Sequence, residues 1–146
     1  MTLSIRPLAA ADFDKWCRLW RAYLAFYQTT LADDIYDVTF SRLIAPEHPA
    51  QNAFVAVSDG AIAGLVHYIY HPHNWRHEDV CYLQDLFVDP AYRGAGVGRA
   101  LIEAVYHAAD ANDTPSVYWL TQDFNHTARQ LYDRVATVTP FIKYTR

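Results

Sequence analysis

Apolar and polar residues alternate at the start of the chain, Leu3 and Ile5 against Ser4 and Arg6. That period of two predicts a half-buried strand over Leu3 to Leu8, and Pro7 near its end suits an edge. From Asp12 to Tyr27 the period lengthens. Phe13, Trp16, Trp20, Tyr23, Leu24 and Tyr27 recur every three or four residues, so a helix with one wide apolar face is predicted, with Asp12 placed to cap it. A second, shorter helix is predicted from Val38 to Ala45 through Phe40, Leu43 and Ile44, stopping at Pro46. The acidic Ala32-Asp33-Asp34 stretch falls between the two.

Strand-like runs follow at Ala53 to Val57 and Ala61 to Tyr70, and Asp59-Gly60 between them is a hairpin signal. His71 to Glu78 is polar, aromatic and interrupted by Pro72, which predicts an exposed loop before the strand Val80 to Val88. Asp89-Pro90 ends that strand. Helical spacing returns from Val97 to Asn112 (Leu101, Ala104, Val105, Ala108). It is followed by a strand at Val117 to Thr121, a helix from Asn125 or His126 to Val135, and a closing strand over Thr137 to Thr145. Antiparallel hairpins early and crossovers late predict an α/β fold with one mixed sheet and helices on both faces.

Composition narrows the function. The 146 residues predict a single domain, 1–146, and 52% apolar content with eleven Tyr, seven Phe and four Trp supplies a core. A net charge of −4 without a basic stripe argues against nucleic acid as a partner. No apolar run approaches the length of a membrane span, and Arg6-Pro7 interrupts any signal-peptide pattern, so a soluble, cytoplasmic protein without a membrane partner is expected. Cys17 and Cys81 lie far apart with no Cys-x-x-Cys, and read as core residues. His71, His73, His77 and Glu78 lack a recognised ligand spacing, so no metal is expected.

The chemistry concentrates in Arg93-Gly94-Ala95-Gly96-Val97-Gly98-Arg99, which follows a predicted strand and opens a predicted helix. Alternate glycines let the backbone turn tightly and aim successive N–H groups at one point before the positive end of a helix, a place for a phosphate or pyrophosphate. No Lys-Ser/Thr pair follows Gly98, which disfavours a P-loop, and the third glycine comes one position too early for the dinucleotide fingerprint.

This turn resembles the signature Arg/Gln-x-x-Gly-x-Gly/Ala of the GCN5-related N-acetyltransferases (GNAT), and the predicted element order from Leu3 to Tyr144 is similar to that family's splayed mixed sheet. The resemblance implies acetyl-CoA as co-substrate, its pyrophosphate on Arg93, Gly94, Ala95, Gly96, Val97, Gly98 and Arg99, and its pantetheine arm on the backbone of Leu86, Phe87 and Val88. Downstream, Asn125-His126-Thr127-Ala128-Arg129-Gln130-Leu131-Tyr132 resembles the family pattern Asn-x-x-Ala/Gly-x-x-Leu-Tyr. It implies that Asn125 contacts the cofactor and that Tyr132 is the general acid at the thioester sulfur. By their own spacing Asn125 is equally a helix N-cap and Tyr132 equally a core tyrosine. Tyr23 to Tyr27, Tyr-Asp-Arg-Val-Ala at 132–136 and the closing 140–144 segment resemble the Hpa2-like branch.

Acetyl transfer to a primary amine requires a neutral amine, a polarised carbonyl and a protonated leaving thiolate. Direct attack in a ternary complex fits better than an acyl-cysteine. The base stays open among Glu78, Asp79, Asp85, Asp33, Asp34 and Asp37. The resemblance puts Tyr27, Asp33, Asp34, Tyr36 and Asp85 along the acceptor cleft, and acidic groups there favour a polyamine, a lysine side chain or a small amino compound. The alternative is a non-catalytic acyl-CoA-binding sensor. The aromatic 141–144 segment raises a homodimer as an expectation.

Overall fold

The computed structural model describes residues 2–146. Its elements run β1 (Leu3–Pro7), α1 (Phe13–Phe26), α2 (Asp33–Ile44), β2 (Gln51–Ser58), β3 (Ala61–His71), β4 (Val80–Val88), α3 (Val97–Ala111), β5 (Val117–Tyr118) and α4 (His126–Val135). One sheet holds the strands in sequence order. β1 to β4 are antiparallel neighbours and β5 lies parallel to β4. The mixed sheet with helices on both faces is the predicted α/β architecture.

The pleat divides the core in two. On one face, Trp16, Leu19 and Trp20 of α1 and Tyr36 and Phe40 of α2 pack against Val55, Leu65 and Phe87. On the other, Val97, Leu101, Ile102, Val105 and Ala109 form one stripe of α3 against Ala56, Val66, Tyr68 and Leu83, with Leu131, Tyr132 and Val135 of α4 at its margin. Cys81 is wholly buried in this second core and Cys17 partly buried at the edge of the first. Gly64 lets α3 approach: a Cβ there would stand 2.9 Å from the Phe87 carbonyl oxygen and 3.1 Å from Leu101 Cδ1.

A register shift in the β3/β4 ladder positions the site. His67 pairs with Asp85 and Tyr68 with Leu83, so Gln84 is left over between them. The extra residue reverses the alternation of β4. Cys81 and Leu83 face α3, whereas Asp85 and Phe87 turn toward α1, and Asp85 comes to lie opposite His67.

Four expectations need correction. Asp12 does not cap α1 with its side chain. Its carboxylate instead accepts two hydrogen bonds from the Arg6 guanidinium, at 2.7 and 2.9 Å, and one from the Ala9 amide at 2.8 Å. The second helix starts at Asp33, not Val38, so Asp33 and Asp34 form its first turn, where negative charge favours the helix dipole. The strand expected at Val117 to Thr121 is limited to Val117–Tyr118. The closing strand over Thr137 to Thr145 does not form, and Phe141 and Tyr144 are 85% and 88% exposed. A strand exists only by pairing, and among the described residues none pairs with this segment. Among the described residues no helix is long and apolar enough to cross a membrane.

Candidate active site

β4 continues to Val88, but β5 pairs with it only at Cys81 and Tyr82. From Leu83 onward the edge of β4 that would face β5 has no strand partner among the described residues, while β3 still pairs the opposite edge through Val88. Backbone groups along this open edge are available to a ligand. The edge runs into a cavity of about 640 Å³, within the range of a small-molecule site, whose wall includes Leu86, Phe87 and Val88.

The glycine turn forms the next wall. Asp89 accepts the Ala91 amide at 2.9 Å and starts a short 3-10 turn over Pro90–Tyr92, which delivers Arg93 to the end of β4. There Arg93 Nε donates to the Val88 carbonyl at 3.2 Å, and its guanidinium lies 5.5 Å from the Phe87 ring centroid. Arg93 thus pins the turn to the strand. Gly94 and Gly96 have φ of +83° and +79°, and a Cβ on either would meet nothing within 4 Å. The space before them is an open cradle that side chains would fill. Among the described residues, no backbone carbonyl outside regular elements accepts from the amides of Gly94 to Arg99, and α3 begins at Val97 with its first amides pointing out of the helix. Gly94, Gly96, Val97, Gly98 and Arg99 all line the cavity; Ala95 is exposed and lies outside it.

α4 closes the other side with Asn125, Thr127, Ala128, Leu131 and Tyr132. Asn125 occupies the N-cap position without a side-chain capping bond. Its Nδ2 reaches only Thr121 Oγ1, at 3.5 Å, so the competing reading as a cap residue does not account for the side chain. Tyr132 packs edge-on against Trp119, their centroids 5.4 Å apart, and burial, with Tyr27 nearby, pushes its phenol up to about 12. It therefore keeps its proton through the neutral range. Tyr23, Phe26 and Tyr27 complete the wall from the end of α1.

An open strand edge, an unfilled glycine turn and a largely buried tyrosine converge here. The model of the "Acetyltransferase (GNAT) family" matches residues 14–136. The D-amino-acid N-acetyltransferase HPA3 of Saccharomyces cerevisiae is 37% identical over 143 residues, covering 97% of this chain and 89% of the relative. This chain belongs to the GNAT acetyltransferases. Within that family it is similar to the Hpa2/Hpa3-like branch. The GNAT fold is also that of the aminoglycoside acetyltransferase AAC(6')-Iy in complex with a CoA bisubstrate analogue (TM-score 0.87, 19% identity, 100% of this chain and 98% of that one). A ribosomal-protein-alanine N-acetyltransferase from Brucella melitensis biovar Abortus 2308 shares it too (TM-score 0.79, 21% identity, 99% and 98% covered).

The GNAT cavity does not gather every residue singled out from the sequence. Asp33 and Asp34 lie on the exposed first turn of α2, with Asp33 Oδ1 3.8 Å from Arg21. Neither lines the cavity. Tyr36 is a core residue, 4% exposed, packed on Trp16 and Trp20 under the Arg21 guanidinium. None of the acidic candidates lines the cavity; Asp85 is buried, precedes the wall residue Leu86 on β4 and accepts from Trp20 Nε1 at 3.3 Å. The charged residues on the cavity wall are Arg93, Arg99 and Arg134. The 71–78 loop lies elsewhere, with Trp75 fully in solvent. Among the described residues no group of three or more His, Cys, Asp or Glu side chains is arranged to hold a metal ion. Sequence reasoning missed Tyr23 and Arg134; Tyr23 carried a signal, since it shares a helix face with Tyr27.

Proposed function

We propose that this GNAT chain transfers the acetyl group of acetyl-CoA directly to the primary amino group of a small amino compound, with amino acids favoured. The observation that carries this reading is the unpaired edge of β4 meeting the glycine cradle and Tyr132 in one cavity. In this reading the outward amides of Gly94 to Arg99 hold the pyrophosphate at the positive end of α3, and the β4 edge from Leu86 to Val88 aligns the pantetheine arm. An amide of that edge, Phe87 or Val88, polarises the thioester carbonyl. Asn125 steadies the same arm, and Tyr132 gives its proton to the departing sulfur.

An acyl-cysteine route has no support, because neither cysteine lines the cavity and burial pushes the Cys81 thiol up to about 12. Amino acids are favoured over polyamines because the relative at 37% identity is named for acting on D-amino acids and, among the described residues, no acidic side chain lines the cavity to attract a polycation. Thiol release from acetyl-CoA, measured against D- and L-amino acids, polyamines and a lysine peptide, tests this. The highest kcat/KM is expected with a D-amino acid. Preference for a polyamine would overturn the acceptor class, and tight CoA binding without turnover of any amine would overturn the enzyme.

The protein is further read as a homodimer. Support comes from the 137–146 segment, whose Val138, Phe141, Ile142 and Tyr144 are all exposed, and from the short β5 at the end of the sheet.

A further inference from the structure

At the register shift between β3 and β4 lies a buried polar cluster that the acetyl-transfer steps above leave unused. Trp16 Nε1 donates to His67 Nε2 at 3.0 Å, His67 Nδ1 stands 2.8 Å from Asp85 Oδ2, and Trp20 Nε1 donates to the same oxygen at 3.3 Å. All four residues are buried. An indole nitrogen only donates, so His67 Nε2 accepts and the ring proton sits on Nδ1, aimed at Asp85. The bonds tie α1 to the His67–Asp85 rung, which borders the extra residue Gln84. Such a cluster adds little stability over apolar side chains of the same volume; what it can do is select one register over another.

The shift decides which backbone groups reach the open edge of β4. Along a strand, successive residues point their N–H and C=O to opposite sides. The Cys81 amide donates to the Ser116 carbonyl at 2.8 Å, toward β5, so Cys81 and Leu83 share that side and Tyr82 points to β3. Past the shift, the Asp89 amide donates to the Ala63 carbonyl of β3 at 2.8 Å, so Phe87 also points to β3 while Leu86 and Val88 point to the open edge. Arg93 Nε reaches the Val88 carbonyl from that edge, in keeping with this parity. Without the extra residue, the count from Cys81 would bring Asp85 and Phe87 to the edge instead. It would also turn the Asp85 carboxylate onto the α3 face among Cys81, Leu83 and Leu101, away from His67 and Trp20.

We propose that His67 and Asp85, locked to α1 by Trp16 and Trp20, are positioning residues that hold β4 in the shifted register and so present the Val88 amide, not that of Phe87, to the acetyl-CoA thioester. This rests on the acetyl-CoA reading and names which of its two candidate amides serves. The cluster acts through the strand and not on the ligand. Asp85 has its two side-chain donors on the α1 face, so a slipped register leaves a buried carboxylate without them. The same slip exchanges each edge amide for its neighbour.

The test reads hydrogen exchange at single β4 amides by nuclear magnetic resonance, together with acetyl-CoA affinity by calorimetry. In the free wild type the Leu86 and Val88 amides are expected to exchange fast and the Phe87 amide slowly, and acetyl-CoA slows Val88. A slow Val88 with a fast Phe87 in the free protein overturns the parity. His67→Phe/Asp85→Leu removes the polar rung and keeps side chains of similar bulk; its Phe87 amide should lose protection and its acetyl-CoA affinity should fall about 10-fold, the scale of one or two lost hydrogen bonds. His67→Gln, whose amide can accept from Trp16 and donate to Asp85, should restore both. A folded double variant with wild-type exchange and affinity overturns the positioning role. Should the double variant fail to fold, Trp16→Phe decides, since it removes one donor and keeps an aromatic ring. It is expected to speed exchange at Phe87 about 10-fold relative to Tyr82, which points to β3 from the other side of the shift. An equal change at both amides, as a loss of overall stability gives, or no change at either, overturns the proposal. A folded wild type that binds no acetyl-CoA overturns the acetyl-CoA reading, while the exchange pattern still judges the register.

Discussion

Gly98 in the first turn of α3 lies directly beneath Leu131 of α4: a Cβ on Gly98 would stand 3.4 Å from Leu131 Cδ2 and 3.7 Å from Val88 Cγ2. The third glycine of the signature turn therefore does a different job from the other two. It sets how closely the helix carrying Tyr132 approaches the end of β4.

The first prediction separates alanine from valine at this position. Gly98→Ala adds one methyl at ordinary contact distance without a positive φ, and should be neutral or stabilising by up to about 1 kcal/mol in thermal unfolding. Gly98→Val adds atoms that Leu131 must yield to, at a cost of about 1–3 kcal/mol. Because α4 moves, kcat should fall more steeply for Val than stability alone implies. Equal kcat for Ala and Val would remove Gly98 from any role in placing Tyr132.

Gly96 behaves differently, because its cost is conformational. A side chain there meets nothing within 4 Å, yet its φ of +79° is left-handed, so Gly96→Ala should destabilise by about 1–2 kcal/mol with no steric clash. The new methyl projects into the cradle. Gly96→Asp, which adds a charge opposed to a pyrophosphate, should abolish CoA binding in calorimetry while circular dichroism stays native. Retained CoA affinity in Gly96→Asp would move the phosphate site away from this turn.

Tyr132→Phe isolates the proposed acid. The ring and its contact with Trp119 survive, so CoA affinity and melting temperature should stay near wild type, while kcat falls by about 100-fold or more. The sign of the pH dependence follows from the raised phenol: at about 12 it remains protonated throughout the neutral and mildly alkaline range. The wild-type rate should therefore show no alkaline decline from Tyr132 below that value. A decline centred near neutrality that vanishes in Tyr132→Phe would contradict the assignment.

Local features were legible in the sequence, and relationships between distant residues were not. Arg93 to Gly98 could be read because the turn's geometry is written in consecutive residues, and Asn125 and Tyr132 because helix periodicity puts both on one face. The Asp85–His67 pair was hidden by the extra residue Gln84. Strict alternation groups Asp85 with Cys81 and Leu83 on the α3 face, and only the register shift turns it toward Trp20. Tyr36 shows the opposite failure, for an aromatic near the acidic stretch looked like cleft lining until packing buried it under Arg21. Gly64 carried no signal at all, because the need for it arises from Phe87 and Leu101, far along the chain.

The closing segment supplies the last prediction. Its alternation reads as a strand, yet Phe141, Ile142 and Tyr144 stand in solvent and residues 137–145 join no strand pairing among the described residues. In the proposed homodimer, a pattern suited to pairing that finds no partner among the described residues would be satisfied by a second copy, and exchange between two chains would close with two-fold symmetry. Replacing both Phe141 and Tyr144 with Lys puts two charges where apolar contact is required and leaves the folded body untouched. Sedimentation should give a dimer for the wild type and a monomer for the double variant, with the same far-ultraviolet spectrum. Because α4 leads into this segment, the monomer should also lose kcat through Tyr132 while keeping CoA affinity, since the glycine cradle lies on α3. A wild type that sediments as a monomer at micromolar concentration would leave the segment's apolar residues to another partner.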